Sequence, residues 1–207
     1  MPPDKSDINN RLNKLALISM EASKLKGQLI VGTRIPHEFF VVQGSGESDL
    51  GYHPGAYDIA LEKAGGIHNF NHIIYSSILP KTAIRITKVP ENYPPGSVLE
   101  SITAESGKGM EYPKRLTSGI IITKIFKNGD CIGGLVAEYN GTDTKEVCQK
   151  FLKANMNDMV NRRYGDNVQT QDELFVESIE PKSKHACALV VLGFTSYKYP
   201  VFGIEKT

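Results

Sequence analysis

Two β-prone runs, Ser118 to Phe126 and Cys131 to Tyr139, stand on either side of Lys127-Asn128-Gly129-Asp130. Asn-Gly tolerates positive φ at both central positions of a tight turn, and that turn's twist matches the strands it joins. The pattern therefore predicts an antiparallel β-hairpin. Around it the order of elements is mixed. Strands are expected at 29–31 and 39–42 around Pro36, at 98–104, at 173–179 and at 186–194. Gly44-Ser45-Gly46 opens a Gly-, Ser- and Asp-rich stretch from Gln43 to Pro54 that reads as a loop. It lacks the Lys-Ser/Thr of a P-loop and the third glycine of a dinucleotide fingerprint.

Three segments carry helical signals. Residues 4–27 have Ser6 or Asp7 as a cap, Ile8, Leu12, Leu15, Ile18 and Leu25 at helical spacing, and Gly27 as a stop. Ala56 to Lys63 suits a short helix ended by Gly65-Gly66. Thr144 to Tyr164 is the clearest, with Val147, Phe151, Leu152, Met159 and Val160 on one side and Gly165 after it. Hairpins with a few helices place the chain in the α+β class. The domain reading is a helical extension over residues 1–30 and a single domain over 31–207.

Charge excludes some functions. Twenty-four Lys+Arg against 23 Asp+Glu leave a net charge of +1, with no concentrated basic stripe, so nucleic acid is not an expected partner. No signal peptide or membrane-spanning run is read, and a cytoplasmic location is expected. Cys131, Cys148 and Cys187 are odd in number and widely separated, which suits free thiols and neither a disulfide frame nor a zinc site.

The chemically suggestive stretch is Asn69-Phe70-Asn71-His72-Ile73-Ile74-Tyr75-Ser76-Ser77-Ile78-Leu79-Pro80. A β-prone run reaches a serine pair and stops at a proline, which cannot donate to a ladder, so the pair is expected near a strand end. Where the backbone between two such residues is strained, Ser77 Oγ can attack the carbonyl of Ser76, and the resulting ester can break by β-elimination. A serine pair alone is a weak signal; its company is more specific. Tyr57-Asp58-x-Ala60-Leu61 and Asn69-x-Asn71 lie upstream, Ile78-Leu79-Pro80 follows directly, and Gly133-Gly134-Leu135-Val136-Ala137-Glu138-Tyr139 lies far downstream. In this order the set resembles the pyruvoyl-dependent arginine decarboxylase family, from about Phe40 to Gly193.

The resemblance implies self-cleavage between Ser76 and Ser77, giving a β chain of residues 1–76 and an α chain of 77–207 headed by a pyruvoyl group made from Ser77. It implies conversion of L-arginine to agmatine and carbon dioxide through a Schiff base, with no metal and no pyridoxal phosphate. It further implies a four-layer αββα sandwich, trimers or dimers of trimers, and active sites between subunits. Glu138 matches the general acid, Asp58 the acceptor of the substrate guanidinium, and Asn71 a polar group beside the cleavage point. Ser45 and Asp49 fall in the stretch that approaches substrate. Alternation supports Glu138 independently, because Leu135, Ala137 and Tyr139 would share one strand face while Val136, Glu138 and Asn140 share the other. Three alternatives stay open: the same chemistry on another amino acid such as histidine, a hydrolase keeping an N-terminal Ser77, and a non-enzymatic trimeric assembly module. Residues 1–30, Ser106 to Arg115 and the tail after Phe194 fall outside the resemblance.

Overall fold

The computed structural model describes residues 28–50, 53–75, 77–90 and 93–205; the helix expected over 4–27 lies outside them. The hairpin is longer than its apolar centre suggests. Strand β7 (Leu116–Lys127) pairs antiparallel with β8 (Asp130–Gly141), from Thr117 opposite Gly141 to Lys127 opposite Asp130. Asn128 and Gly129 take φ of 53° and 87° between them, as the turn type demands. Strand β9 (Gln169–Ile179) adds to the outside of β7, and the two-residue β4 (Ile78–Leu79) adds to β8. The sheet therefore runs β4-β8-β7-β9.

A second sheet is built on β10 (His185–Lys198). It has β2 (Ile35–Ser48) on one side and β6 (Val98–Ser106) on the other, and short β5 (Ile84–Arg85) and β3 (Asn71–Ile74) lie at its two edges. Residues 43–48, expected in a loop, instead continue β2 in unbroken register with β10 as far as Ser48 opposite His185. The glycines explain the difference. Helix α1 (His53–Lys63) lies against this face of β2, and a Cβ at Gly44 or Gly46 would run into the carbonyl oxygens of Ala60 and Ala56. Glycine here permits close backbone approach, a role that sequence pattern cannot separate from turn-making.

Apolar alternation sorts these elements. Ala56, Ala60 and Leu61 of α1 pack with Phe40, Leu189 and Val191 on one face of the five-stranded sheet. Cys148, Leu152, Met156 and Val160, spaced four apart on helix α2 (Lys145–Tyr164), pack with Ile121, Leu135, Ala137 and Tyr139 on one face of the four-stranded sheet. The remaining faces meet each other through Phe39, Ile102, Val190 and Leu192 from one sheet and Ile120, Ile122 and Val136 from the other. Each such side chain contributes about 1.5–3 kcal/mol when fully buried. Helix α2 starts one residue later than expected because Thr144 is its cap: Thr144 Oγ1 accepts from the Val147 amide, and Gly165 follows the last turn, as expected, at a φ of 68°. Its buried stripe differs slightly from the expected one, because Val147 and Phe151 are about half exposed. Phe151 instead places its ring edge against Tyr139, 5.4 Å between centroids.

Residues 35–198 form one compact unit, and the described parts of 1–34 and 199–207 form another. In the latter, β1 (Gln28–Val31) pairs antiparallel with β11 (Val201–Glu205).

Candidate active site

The serine pair lies between two strands, where the expectation placed it near the end of one. Strand β3 ends at Ile74, and the Tyr75 amide makes a last bond of 2.6 Å to the Ser101 carbonyl of the five-stranded sheet. Two residues later the Ser77 carbonyl accepts from the Val136 amide of the four-stranded sheet at 2.9 Å, and β4 begins. The chain thus changes sheets across Ser76, which itself lies outside the described residues. Each side is tethered to a different sheet. The reason is local: Tyr75 and Leu79 both turn into the cluster between the sheets, Tyr75 with its ring 6.1 Å from Phe194.

Glu138 stands on β8, two residues beyond the amide that holds Ser77. Leu135, Ala137 and Tyr139 face α2, so Val136 and Glu138 face the space between the sheets. Its rung runs Phe175, Ile120, Glu138 across β9, β7 and β8. Those apolar neighbours leave it half-buried, and desolvation raises its carboxyl above the ordinary carboxylate range. No cation neutralises it among the described residues. A carboxyl group with a raised pKa thus faces the same space into which the crossing turns.

The other predicted residues do not converge there within one chain. Asn71 is at the far end of β3, and its amide donates to the Gly96 carbonyl at 2.8 Å. Asp58 is exposed on α1; the helix starts at His53, so Asp58 lies beyond its first turn. Ser45 Oγ donates across the sheets to Glu177 Oε1 at 2.8 Å. It shares a rung with Ala188 and Ser106, five residues along β6 from Ser101, roughly 17 Å from the crossing. Asp49 accepts from the Lys184 amide at 2.8 Å, while Glu47 accepts from the amides of Lys182 and Ser183. This acidic pair secures the β9–β10 connection, and these amides hold Glu47 below the usual carboxylate range.

One carboxylate was missed. Glu100 is only 5% exposed, opposite Ile73 of β3, and shares with Ile102 and Ala104 the face toward the other sheet. Its signal was the alternation of β6 itself, which places Glu100 with the two inward apolar residues. His72 is the reverse case. It lies near the crossing in sequence, yet its Nε2 is 3.0 Å from the Ile67 carbonyl, and burial lowers its pKa. It braces β3 and does not face the serine pair.

Comparison with known proteins gives a consistent picture. The family model described as pyruvoyl-dependent arginine decarboxylase matches residues 38–199. Proteins named pyruvoyl-dependent arginine decarboxylase AaxB from Chlamydia abortus and Chlamydia pneumoniae are each 31% identical over 186 residues, covering 81% of this chain and 94% of theirs. A pyruvoyl-dependent arginine decarboxylase of Thermococcus sibiricus is 32% identical over 97 residues, 47% of this chain and 58% of its own.

Proposed function

The chain belongs to the pyruvoyl-dependent arginine decarboxylase family, a family of lyases, and from that premise we propose how its own residues carry the reaction from L-arginine to agmatine and carbon dioxide. The observation that carries the proposal is the sheet-to-sheet crossing at Ser77 with Glu138 facing the same space. Ser77 Oγ attacks the Ser76 carbonyl, and the acyl group moves from nitrogen to oxygen. Loss of the Ser77 Cα proton then expels Ser76 as a carboxylate, and hydration of the resulting enamine releases ammonia and leaves a pyruvoyl group on residue 77. The fold suits this cut. After it, residues up to 76 remain paired through β3 to one sheet, and residues from 77 remain paired through β4 to the other.

The pyruvoyl group, when formed, supplies a ketone that takes up the substrate amine and accepts the electrons left by carbon dioxide. The Val136 amide fixes residue 77 by its carbonyl, so the new N-terminus is positioned from β8. Glu138, whose carboxyl is raised by burial among apolar neighbours, delivers a proton to the substrate Cα. Asp58 accepts two parallel hydrogen bonds from the guanidinium. Because Asp58 is exposed and Ser45 and Asp49 lie at the other end of the sheet, these groups act from a neighbouring copy, in a trimer or a dimer of trimers. Support comes from the edge strands on either side of Ser77, where Ile73, Ile74 and Ile78 are 46%, 64% and 53% exposed. We further read the helices and sheets as a four-layer αββα sandwich, residues 1–30 as an extension of a domain over 31–207, the location as cytoplasmic, and the chemistry as needing neither metal nor pyridoxal phosphate.

Intact mass under denaturing conditions tests the proposal. Purified wild-type protein is expected as two fragments split after Ser76, the larger carrying a pyruvoyl end. An uncut chain, or a larger fragment that keeps the serine amine, would overturn it. Asp58→Ala is expected to cut normally and raise KM for arginine about 10- to 100-fold, the worth of a charge-assisted contact. An unchanged KM would remove Asp58 from guanidinium recognition.

A further inference from the structure

A cavity of about 180 Å³ opens at the end of the four-stranded sheet, on the face turned toward the other sheet. Lys81, Lys124, Gln171, Cys131, Phe126 and Leu79 are among its walls. Neither Ser77 nor Glu138 lines it, so it is distinct from the site described above. Three of its lining residues, Gln171, Lys124 and Leu79, lie on one rung of the sheet across β9, β7 and β4, joined through Gly134 of β8.

The wall chemistry is one-sided. Two lysines and Gln171 line the space, and among the described residues no carboxylate does. Glu173, the next residue along β9 on this face, is occupied by an ion pair with Arg85, whose guanidinium also covers the Phe175 ring at 4.8 Å. Asp172 faces away and accepts from Thr123 Oγ1 at 2.7 Å. Lys124 is half-buried, and among the described residues neither it nor Lys81 has an ion-pair partner. Lys81 is exposed at the rim, so the cavity gathers two positive charges with no anion beside them among the described residues, and an anion bound there is attracted by both.

We propose that this cavity binds a small oxyanion of the phosphate class between Lys81 and Lys124, with the Gln171 amide as a further donor. Charge decides the class: two lysines balance a dianion, whereas a monocarboxylate would leave one positive charge over. The volume holds a group of this size with a water or two.

Cys131 in the cavity wall reports occupancy. It is partly exposed, whereas Cys148 and Cys187 are fully buried. Purified wild-type protein, as isolated, is treated with iodoacetamide, an uncharged reagent, in inorganic phosphate or in sodium chloride of equal ionic strength, and alkylation at Cys131 is followed by mass. Phosphate is expected to slow it at least about fivefold, saturating with concentration. The double variant Lys81→Gln/Lys124→Gln is expected to lose that protection while melting within a few degrees of wild type, and Lys108→Gln, outside the cavity, to keep it. Equal rates in phosphate and chloride, or protection that survives the double variant, would overturn the proposal. Neither readout uses decarboxylation, so the proposal stands or fails separately from the proposed function.

Discussion

Ser77→Ala is expected to be recovered as one uncut chain with no measurable release of agmatine, a loss of at least about 10⁶-fold that leaves turnover near the uncatalysed rate. The size of the effect follows from what one oxygen does. Without Oγ there is no nucleophile for the Ser76 carbonyl and no ester to eliminate, so no ketone forms at residue 77. The fold should be largely indifferent. The contact that places residue 77 is its carbonyl to the Val136 amide, which alanine keeps, and the side chain is only half-buried. The melting temperature is therefore expected to stay within about 4 °C of the wild-type precursor. Ser77→Cys provides the complementary arm. A thiol can attack the same carbonyl and leave by the same elimination, so this variant is expected to cut, if more slowly. Intact mass and agmatine release are read on both variants. Normal cutting of the alanine variant would place the nucleophile elsewhere, and a cut alanine variant that still decarboxylates would end the pyruvoyl mechanism for this chain.

The site was legible where chemistry and periodicity coincided. Residues 133–139 read as one strand, and the two-residue period of a strand puts Glu138 on the face of Val136, opposite Leu135, Ala137 and Tyr139, as in the structure. The Asn128-Gly129 turn predicts the hairpin and its nearest pairs, Lys127 opposite Asp130 and Phe126 opposite Cys131, but a bulge at Ile132 then shifts the pairing by one residue, to Ile125 opposite Gly133, and the turn chemistry does not foretell it. What local pattern could not show was partnership between distant segments. Nothing in Tyr75-Ser76-Ser77 says that the amide before the pair bonds to β6 while the carbonyl after it bonds to β8; the run reads as one strand although it is shared between two sheets. Gly44 and Gly46 misled for the same reason. Their purpose is the nearness of Ala56 and Ala60, residues of a helix packed over them, and a glycine that admits a neighbour looks the same in sequence as one that bends the chain. Asp58, Ser45 and Asp49 fail to meet Ser77 within one chain, and the role proposed for them requires a neighbouring copy, a level that a single sequence does not encode locally.

Glu138→Gln separates maturation from turnover. The variant is expected to cut as wild type does, because Ser77 Oγ and the peptide it attacks are untouched, and then to lose about 10²- to 10⁴-fold in kcat with little change in KM. Glutamine keeps the shape and a hydrogen-bonding amide but has no acidic proton to give to the substrate Cα. Desolvation raises the Glu138 carboxyl, so the acid persists to higher pH than an exposed glutamate would allow. Wild-type kcat should fall as pH rises through that value, and the glutamine variant should lack this limb. Wild-type stability moves in the same direction. Between the unfolded and folded pKa values the native state binds more protons than the unfolded one, so wild-type stability falls as pH rises through that window. Glutamine carries no such titration, and its stability relative to wild type should improve over the same range. A variant that melts at or above wild type at neutral pH yet turns over at least a hundredfold more slowly would assign the proton to Glu138. Loss of cutting in parallel with loss of turnover would instead assign Glu138 to maturation, and the proton donor would have to be sought at the other inward carboxylate beside the crossing, Glu100.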